Sequence, residues 1–412
     1  MTAEIVIMNK YGLSLAADSA ITSGSEGIRK VYNSANKLFS LSDHHPIGIM
    51  VYGSASFMEV PWDVIIKTYR NHLGVKTFAQ LQGYVDDFLS FLQQEETFSN
   101  GEVEEIIVYR IFSDMLKQIV KEVEEKLAEK NEADIEDKYI TNLLLECVNK
   151  KMKQYQKTNS YVEMEYDAFD RKFGHVLLEI QQEVVTYQIP EILTERLNQL
   201  AFEGVKRDFF SLGSSGFVIT GYGEEEIFPR LLNYRLEGFI FNQLKYKKTT
   251  EKTVSYTTDQ HDGTAVITAF GQKEMIESFI HGIEPNMEEA FFHIIKKVLF
   301  HYEQQLQASL QITLTKEQVK ELEKMGKTVY ESIEDSVEEY KLTNYLHPLL
   351  GIIRSLPVRE LAEMTEMLIH LTSFKRRVTR VTESVGPPID IAVITKGDGF
   401  IWIKRKNLVN EK

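Results

Sequence analysis

What most constrains the fold is where two periodicities fall along the chain. Short apolar runs of strand character lie near both ends, and long stretches of helical spacing fill much of the space between them. The first strand signals are AEIVIM (3–8) and LSLAAD (13–18), separated by Asn9-Lys10-Tyr11-Gly12, which reads as a hairpin turn. Two more runs follow at 37–41 and 47–52, with Ser42, Asp43 and Pro46 between them, and Gly53-Ser54-Ala55-Ser56 closes the block. The chain ends on a second hairpin signal, 389–395 and 400–404 around Lys396-Gly397-Asp398-Gly399. A sheet that draws strands from both ends of a chain must bring those ends together, and helices must then cover its faces.

The middle alternates between the two patterns. Val103, Ile106, Ile107, Ile111, Met115, Ile119, Val123 and Leu127 recur at helical spacing amid dense Glu and Lys. Segments 134–157, 166–185 and 190–210 read the same way, as a bundle or antiparallel pair with solvated charged faces. Strand signals return at 216–220, 229–236, 239–247, 253–258 and 264–270, with Asp262-Gly263 as a turn. Helix resumes at 273–283 and continues, with breaks, to about residue 379.

Composition narrows the function classes. At 412 residues the chain predicts two or three structural units. A net charge of −14, from 61 acidic against 47 basic residues, argues against nucleic acid and anionic lipid as partners. The single cysteine, Cys147, excludes an internal disulfide framework and fits a reducing compartment. It lies in LLLECV, where packing is its expected role. No apolar run approaches the ~18 residues of a membrane span, and MTAEIVIMNK has no secretory pattern, so a cytoplasmic protein is expected. The metalloprotease, P-loop, nucleophile-elbow and dinucleotide motifs are absent, and no cysteine pair has metal-ligand spacing. The adjacent His44 and His45 read as an exposed loop pair. No metal or organic cofactor is expected.

The chemistry-bearing signal lies at the start. Thr2 follows the initiator methionine, and a small second residue permits removal of Met1. Thr2 would then carry a hydroxyl and a free α-amine able to serve as its own base. With Asn9-Lys10-Tyr11 as a three-residue loop, Thr2 pairs with Asp18; a two-residue loop shifts the register and turns Asp18 to the other face. Lys37 opens the next run, and a cation there would lower the pKa of a nearby hydroxyl.

MTAEIVIMNKYGLSLAADSA, then NKLFSL, then IGIMVYGSAS resemble the opening of proteasome β-type N-terminal nucleophile (Ntn) hydrolases, which include the bacterial HslV and Anbu branches. FVITGYGEEEIFPRL, TAVITAFGQKE and SVGPPIDIAVITKGDGFIWI are similar to later strands of that family, the VGPPID portion of the last being closest to the Anbu branch. The resemblance implies an α+β fold, a four-layer αββα sandwich of two antiparallel sheets. The core is expected from 1–57, 213–283 and 376–412, with a helical insertion at 58–212 and a helical extension at 284–375. It implies Thr2 as nucleophile, Asp18 and Lys37 as its partners, Gly53 as an oxyanion-hole amide, and the Thr2–Asp18 pairing. Ser19, Thr382 and Ser384 are supporting candidates.

The chain also departs from that pattern. Ala269-Phe270-Gly271-Gln272 stands where many members place a Ser-Gly pair, and Thr382 and Val385 stand where many place Asp and Ser. The expected activity is a threonine-type peptidase or amidohydrolase on peptide or protein substrates, freed by Met1 removal alone. A homo-oligomer is implied, and no ATPase partner is evident. The alternative is an inactive family member that serves as an assembly or binding platform.

Overall fold

The computed structural model describes residues 2–23, 30–32, 35–94, 101–128, 137–184, 190–256, 263–379 and 385–406. The first strands are β1 (Ala3–Asn9), β2 (Gly12–Asp18), β3 (Ile21–Ser23), β4 (Lys30–Tyr32), β5 (Leu38–Ser40), β6 (Ile47–Tyr52), β7 (Ser56–Phe57) and β8 (Val60–Pro61). Six helices follow: α1 (Trp62–Leu73), α2 (Leu81–Gln94), α3 (Gly101–Ala128), α4 (Asp137–Tyr155), α5 (Tyr166–Val184) and α6 (Glu191–Lys206). Next come β9 (Ser215–Gly221), β10 (Arg230–Ile240), β11 (Gln243–Thr253) and β12 (Ala265–Gly271). The remaining elements are α7 (Glu274–His281), α8 (Pro285–Leu310), α9 (Lys316–Lys341), α10 (His347–Ile353), α11 (Val358–Val378), β13 (Ile389–Thr395) and β14 (Gly399–Lys404). The chain is therefore α+β with two five-stranded sheets, and it divides into two compact units.

The first unit, built mainly from residues 1–38 and 253–412, holds the sheet β12-β1-β2-β13-β14. Its neighbours are antiparallel throughout, so the closing hairpin lies beside the opening one. Along β1, Ala3, Ile5 and Ile7 project into a core with Ile353, Leu361 and Ile369 from α10 and α11. Thr2, Glu4 and Val6 alternate onto the opposite face. Asn9 anchors the turn: its Nδ2 donates to Ile353 O and Leu356 O, both at 2.8 Å, and its Oδ1 accepts from Tyr11 N–H.

This hairpin corrects the expected pairing. Asn9 pairs with Gly12 and Glu4 with Ala17, so the loop is the two-residue Lys10-Tyr11. Continuing that register sets Asp18 against Ala3, not Thr2. The Asn9 side chain satisfies the Tyr11 amide inside the turn, which lets the ladder close one residue earlier. Helices α8 and α9 form an antiparallel pair tied by Lys341 Nζ to Glu288 Oε1 at 2.8 Å. A Thr315/Gln318 capping box starts α9, and none of its residues is buried.

The second unit, residues 39–226 and 230–252, contains the sheet β11-β10-β9-β6-β5. Helices α1 and α2 bury Trp62, Tyr69, Tyr84 and Phe88 against Ile49, Phe217 and Ile219 of the sheet. Helices α3 to α6 surround a separate core that includes Ile111, Phe112, Phe173 and Leu197, with Cys147 fully buried in it. Among the described residues the regular elements within 58–212 are β8 and helices α1 to α6, and those within 284–375 are helical.

Three local readings change. Strand β10 runs through Gly238 to Ile240, and the turn falls at Phe241-Asn242, both at positive φ (50° and 57°). The run expected at 253–258 instead ends β11 at Thr253; residues 254–256 are not strand, and 257–258 lie outside the described residues. His45 is buried, with Nδ1 3.4 Å from Glu224 and its ring packed on Tyr84, while His44 is exposed. Among the described residues no helix is long and apolar enough to cross a membrane.

Candidate active site

The candidate site forms where β1 begins and β2 ends. Because these strands are sheet neighbours, the start of the chain lies next to Asp18, the last residue of β2. The Asp18 side chain is wholly buried, and four donors converge on it. Oδ1 accepts from the Ala3 amide at 3.0 Å and from Lys37 Nζ at 2.7 Å. Oδ2 accepts from the amides of Ala20 at 3.0 Å and Gly386 at 3.3 Å. Asp18 therefore clamps the residue after Thr2 while holding the Lys37 ammonium. An acid shared between a backbone amide and a lysine does not need to lie on the same strand face as Thr2.

Lys37 immediately precedes β5 and is buried; its ammonium also donates to Ala20 O at 2.6 Å. Burial pulls its pKa below the usual lysine range, the charge and hydrogen bond of Asp18 push it back up, Glu4 does so to a smaller extent, and Lys406 opposes. Thr2 is buried as well. Its carbonyl accepts from the Gln272 amide at 2.6 Å, and its Oγ1 has no hydrogen-bond partner among the described residues. Gly271 makes this fit possible. It sits at φ +69°, and a Cβ there would lie 2.1 Å from Thr2 O.

Ser19 is fully buried, and its Oγ accepts from Lys406 Nζ at 2.8 Å. Lys406 also pairs with Asp390 of β13 at 3.0 Å and donates to Ala35 O, so the end of the described chain is fastened beside the residue that follows Asp18. Thr382 and Ser384 lie outside the described residues. Gly53 belongs to the second unit, where it follows β6 at φ +85°; a Cβ there would meet Ser214 O at 2.4 Å.

Two groups at the site escape motif reading, Glu4 and the Lys406–Asp390 pair. Glu4 is 0% exposed, and its pKa is pushed up to about 8. Burial is the main cause; Lys37 draws the value down, and Asp18 adds a smaller upward push. A signal for Glu4 was present: AEIVIM is apolar on both faces, so its one acid has no solvated side to occupy.

Two other buried charges are engaged by hydrogen bonds. In the second unit Lys245 Nζ donates to Gly204 O (2.9 Å) and Phe209 O (2.7 Å). Glu237 accepts from the Ser211 amide (2.7 Å) and hydroxyl (2.5 Å). These satisfy the ends of helices and loops and offer no unpartnered nucleophile. Among the described residues no group of three metal-ligating side chains forms.

No family model matches the chain, and no curated protein does. Solved structures of Anbu proteins align with it along nearly its whole length. An Anbu Gly-1 mutant from Hyphomicrobium sp. strain MC1 aligns at 10% identity and TM-score 0.31, covering 100% of this chain and 89% of that one. Anbu (ancestral beta-subunit) from Yersinia bercovieri aligns at 9% identity and TM-score 0.30, covering 97% and 86%. A helical assembly of the Anbu complex from Pseudomonas aeruginosa aligns at 10% identity and TM-score 0.27, covering 98% and 88%.

Proposed function

We propose that the protein is an N-terminal threonine amidohydrolase acting on peptide bonds, with Thr2 as nucleophile once Met1 has been removed. The observation that carries this reading is the buried Asp18–Lys37 pair at 2.7 Å, whose acid also holds the amide of the residue next to Thr2. A lysine ammonium fixed beside a hydroxyl favours the alkoxide over the alcohol. The buried Thr2 Oγ1, without a hydrogen-bond partner among the described residues, supports the same reading, since a structural threonine at such a position would hydrogen-bond.

In the proposed reaction Oγ1 attacks the carbonyl carbon of an amide, and its proton passes to the Thr2 α-amine. The C–O bond forms while the carbonyl π pair moves to oxygen. Collapse of this tetrahedral intermediate breaks the C–N bond, and the ammonium of Thr2 returns a proton to the departing amine. Water then attacks the Thr2 ester with the same amine as base, which releases the acid and restores the hydroxyl. Lys37 keeps the local potential positive, and Asp18 fixes Lys37.

The test combines N-terminal sequencing with labelling by a peptide epoxyketone. Thr2 should be the first residue, and one adduct should form there that is lost in Thr2→Ala. Retained Met1 or labelling that survives Thr2→Ala would refute the reading. The second reading, an inactive platform, is favoured by the 269–272 segment, AFGQ, which offers no hydroxyl where many relatives carry one. It expects a free Thr2 that no electrophile labels.

A further inference from the structure

We propose that Glu4 is a positioning residue of the Thr2 centre, whose buried carboxyl sets how much of the Lys37 charge remains available to the Thr2 hydroxyl. This inference rests on the reading of Thr2 as nucleophile and assigns a further ionisable group to that centre.

The placement comes from the strand. Glu4 follows Thr2 by two residues on an extended chain, so the two side chains share a face with Cα atoms about 6.6 Å apart. The opposite face, Ala3, Ile5 and Ile7, is committed to the hydrophobic core with α10 and α11. Glu4 is fully buried, and neither carboxyl oxygen has a hydrogen-bond partner among the described residues. A buried carboxyl that served structure would be hydrogen-bonded, as Glu237 is by Ser211.

Among the described residues, two charged groups act on Glu4. From the end of β2 comes Asp18, and from the residue before β5 comes Lys37; both act on Glu4 electrostatically. Strand β12, its neighbour on the other side, reads AVITAFG and holds no ionisable side chain. Strand β13, beyond β2, contributes Asp390, which is neutralised by Lys406. Removal of Met1 would add the Thr2 α-amine to these groups.

The electrostatic consequence follows directly. While Glu4 keeps its proton, Lys37 faces one carboxylate and the cluster is neutral. Once Glu4 ionises, Lys37 faces two, and the cluster carries a net negative charge. That charge raises the cost of a Thr2 alkoxide and holds a proton on the α-amine, which disables both nucleophile and base. With the Glu4 carboxyl titrating at about 8, reactivity falls on the alkaline side.

The experiment measures the rate of Thr2 labelling by a peptide epoxyketone from pH 5.5 to 9.5, by intact mass, in wild type and Glu4→Gln. Glutamine copies the neutral acid in shape and cannot ionise. Wild type and variant should react alike near pH 6. At pH 9 wild type should be about tenfold slower, since about nine-tenths of Glu4 is then ionised. A ratio constant with pH overturns the role of Glu4 while leaving Thr2 as nucleophile. Labelling of neither protein at any pH overturns the nucleophile reading, and this inference with it. If Glu4→Gln does not fold, Glu4→Asp replaces it: a wild-type fall above about pH 8 whose midpoint moves in Glu4→Asp supports the proposal, and a plateau to pH 9.5 or an unmoved midpoint refutes it.

Discussion

Glu4→Gln also tests the electrostatics of the site without any chemistry. In the unfolded chain the Glu4 carboxyl titrates at its ordinary 4.5, and in the folded protein at about 8. Between those values the folded protein holds a proton that the unfolded chain has released. The unfolded state therefore binds fewer protons, and stability falls as pH rises through the window. At about 1.4 kcal/mol per tenfold change in proton affinity, the full difference is about 5 kcal/mol. Glu4 is 0% exposed, so solvent screening does not reduce this figure. It is large against the 5–15 kcal/mol that typically holds a domain together. The assay is urea unfolding followed through Trp402 fluorescence, in a Trp62→Phe background so that the first unit alone is reported. Relative to wild type, Glu4→Gln should gain about 1.4 kcal/mol per pH unit between pH 5 and 7.5, levelling off above pH 8. Titrations common to both proteins cancel in this difference. A gap that stays within about 0.5 kcal/mol across the range, the usual spread for a neutral substitution, would refute a buried and unpaired Glu4.

Two further outcomes follow from the same geometry. Asp18→Asn leaves the Lys37 ammonium buried without its counter-charge and should cost about 3–5 kcal/mol in the same urea assay, most at low pH where Lys37 must carry its proton; Lys37→Met added to it should restore much of the loss, and additive losses would contradict direct coupling. Gly271→Ala puts a Cβ 2.1 Å from Thr2 O and 2.9 Å from Thr2 Oγ1, so epoxyketone labelling should drop at least about tenfold, the cost of ~1.4 kcal/mol in positioning, while the circular dichroism spectrum is retained; an unchanged labelling rate would exclude Gly271 as a support of Thr2.

Much of the fold is legible locally. Strands β6 and β13 coincide with the runs 47–52 and 389–395, because alternation bounded by turn-formers leaves few other solutions. Helices α3 to α6 follow their apolar spacing to within a few residues. Gly238 misleads as a breaker because its open conformation (φ +140°) is absorbed within β10, where a Cβ would strike Ile107. The β1–β2 register was open to two answers, since one extra loop residue turns a whole strand over and the deciding bond runs from the Tyr11 amide to the Asn9 side chain.

The sequence by itself determined which residue types could meet at the chain's start: a threonine behind the initiator, an acid ending the second strand and a lysine opening a later one. Their linkage was visible only through family resemblance, since nothing local joins positions 18 and 37. Tertiary structure decided the rest. Lys406 reaches Ser19 only because the last hairpin lies against β2, and their separation along the chain is 387 positions. The proton affinity of Glu4 likewise belongs to no sequence pattern. It arises from the removal of water around a carboxyl and from the nearby Lys37 and Asp18, and both come into being only when distant strands close over it.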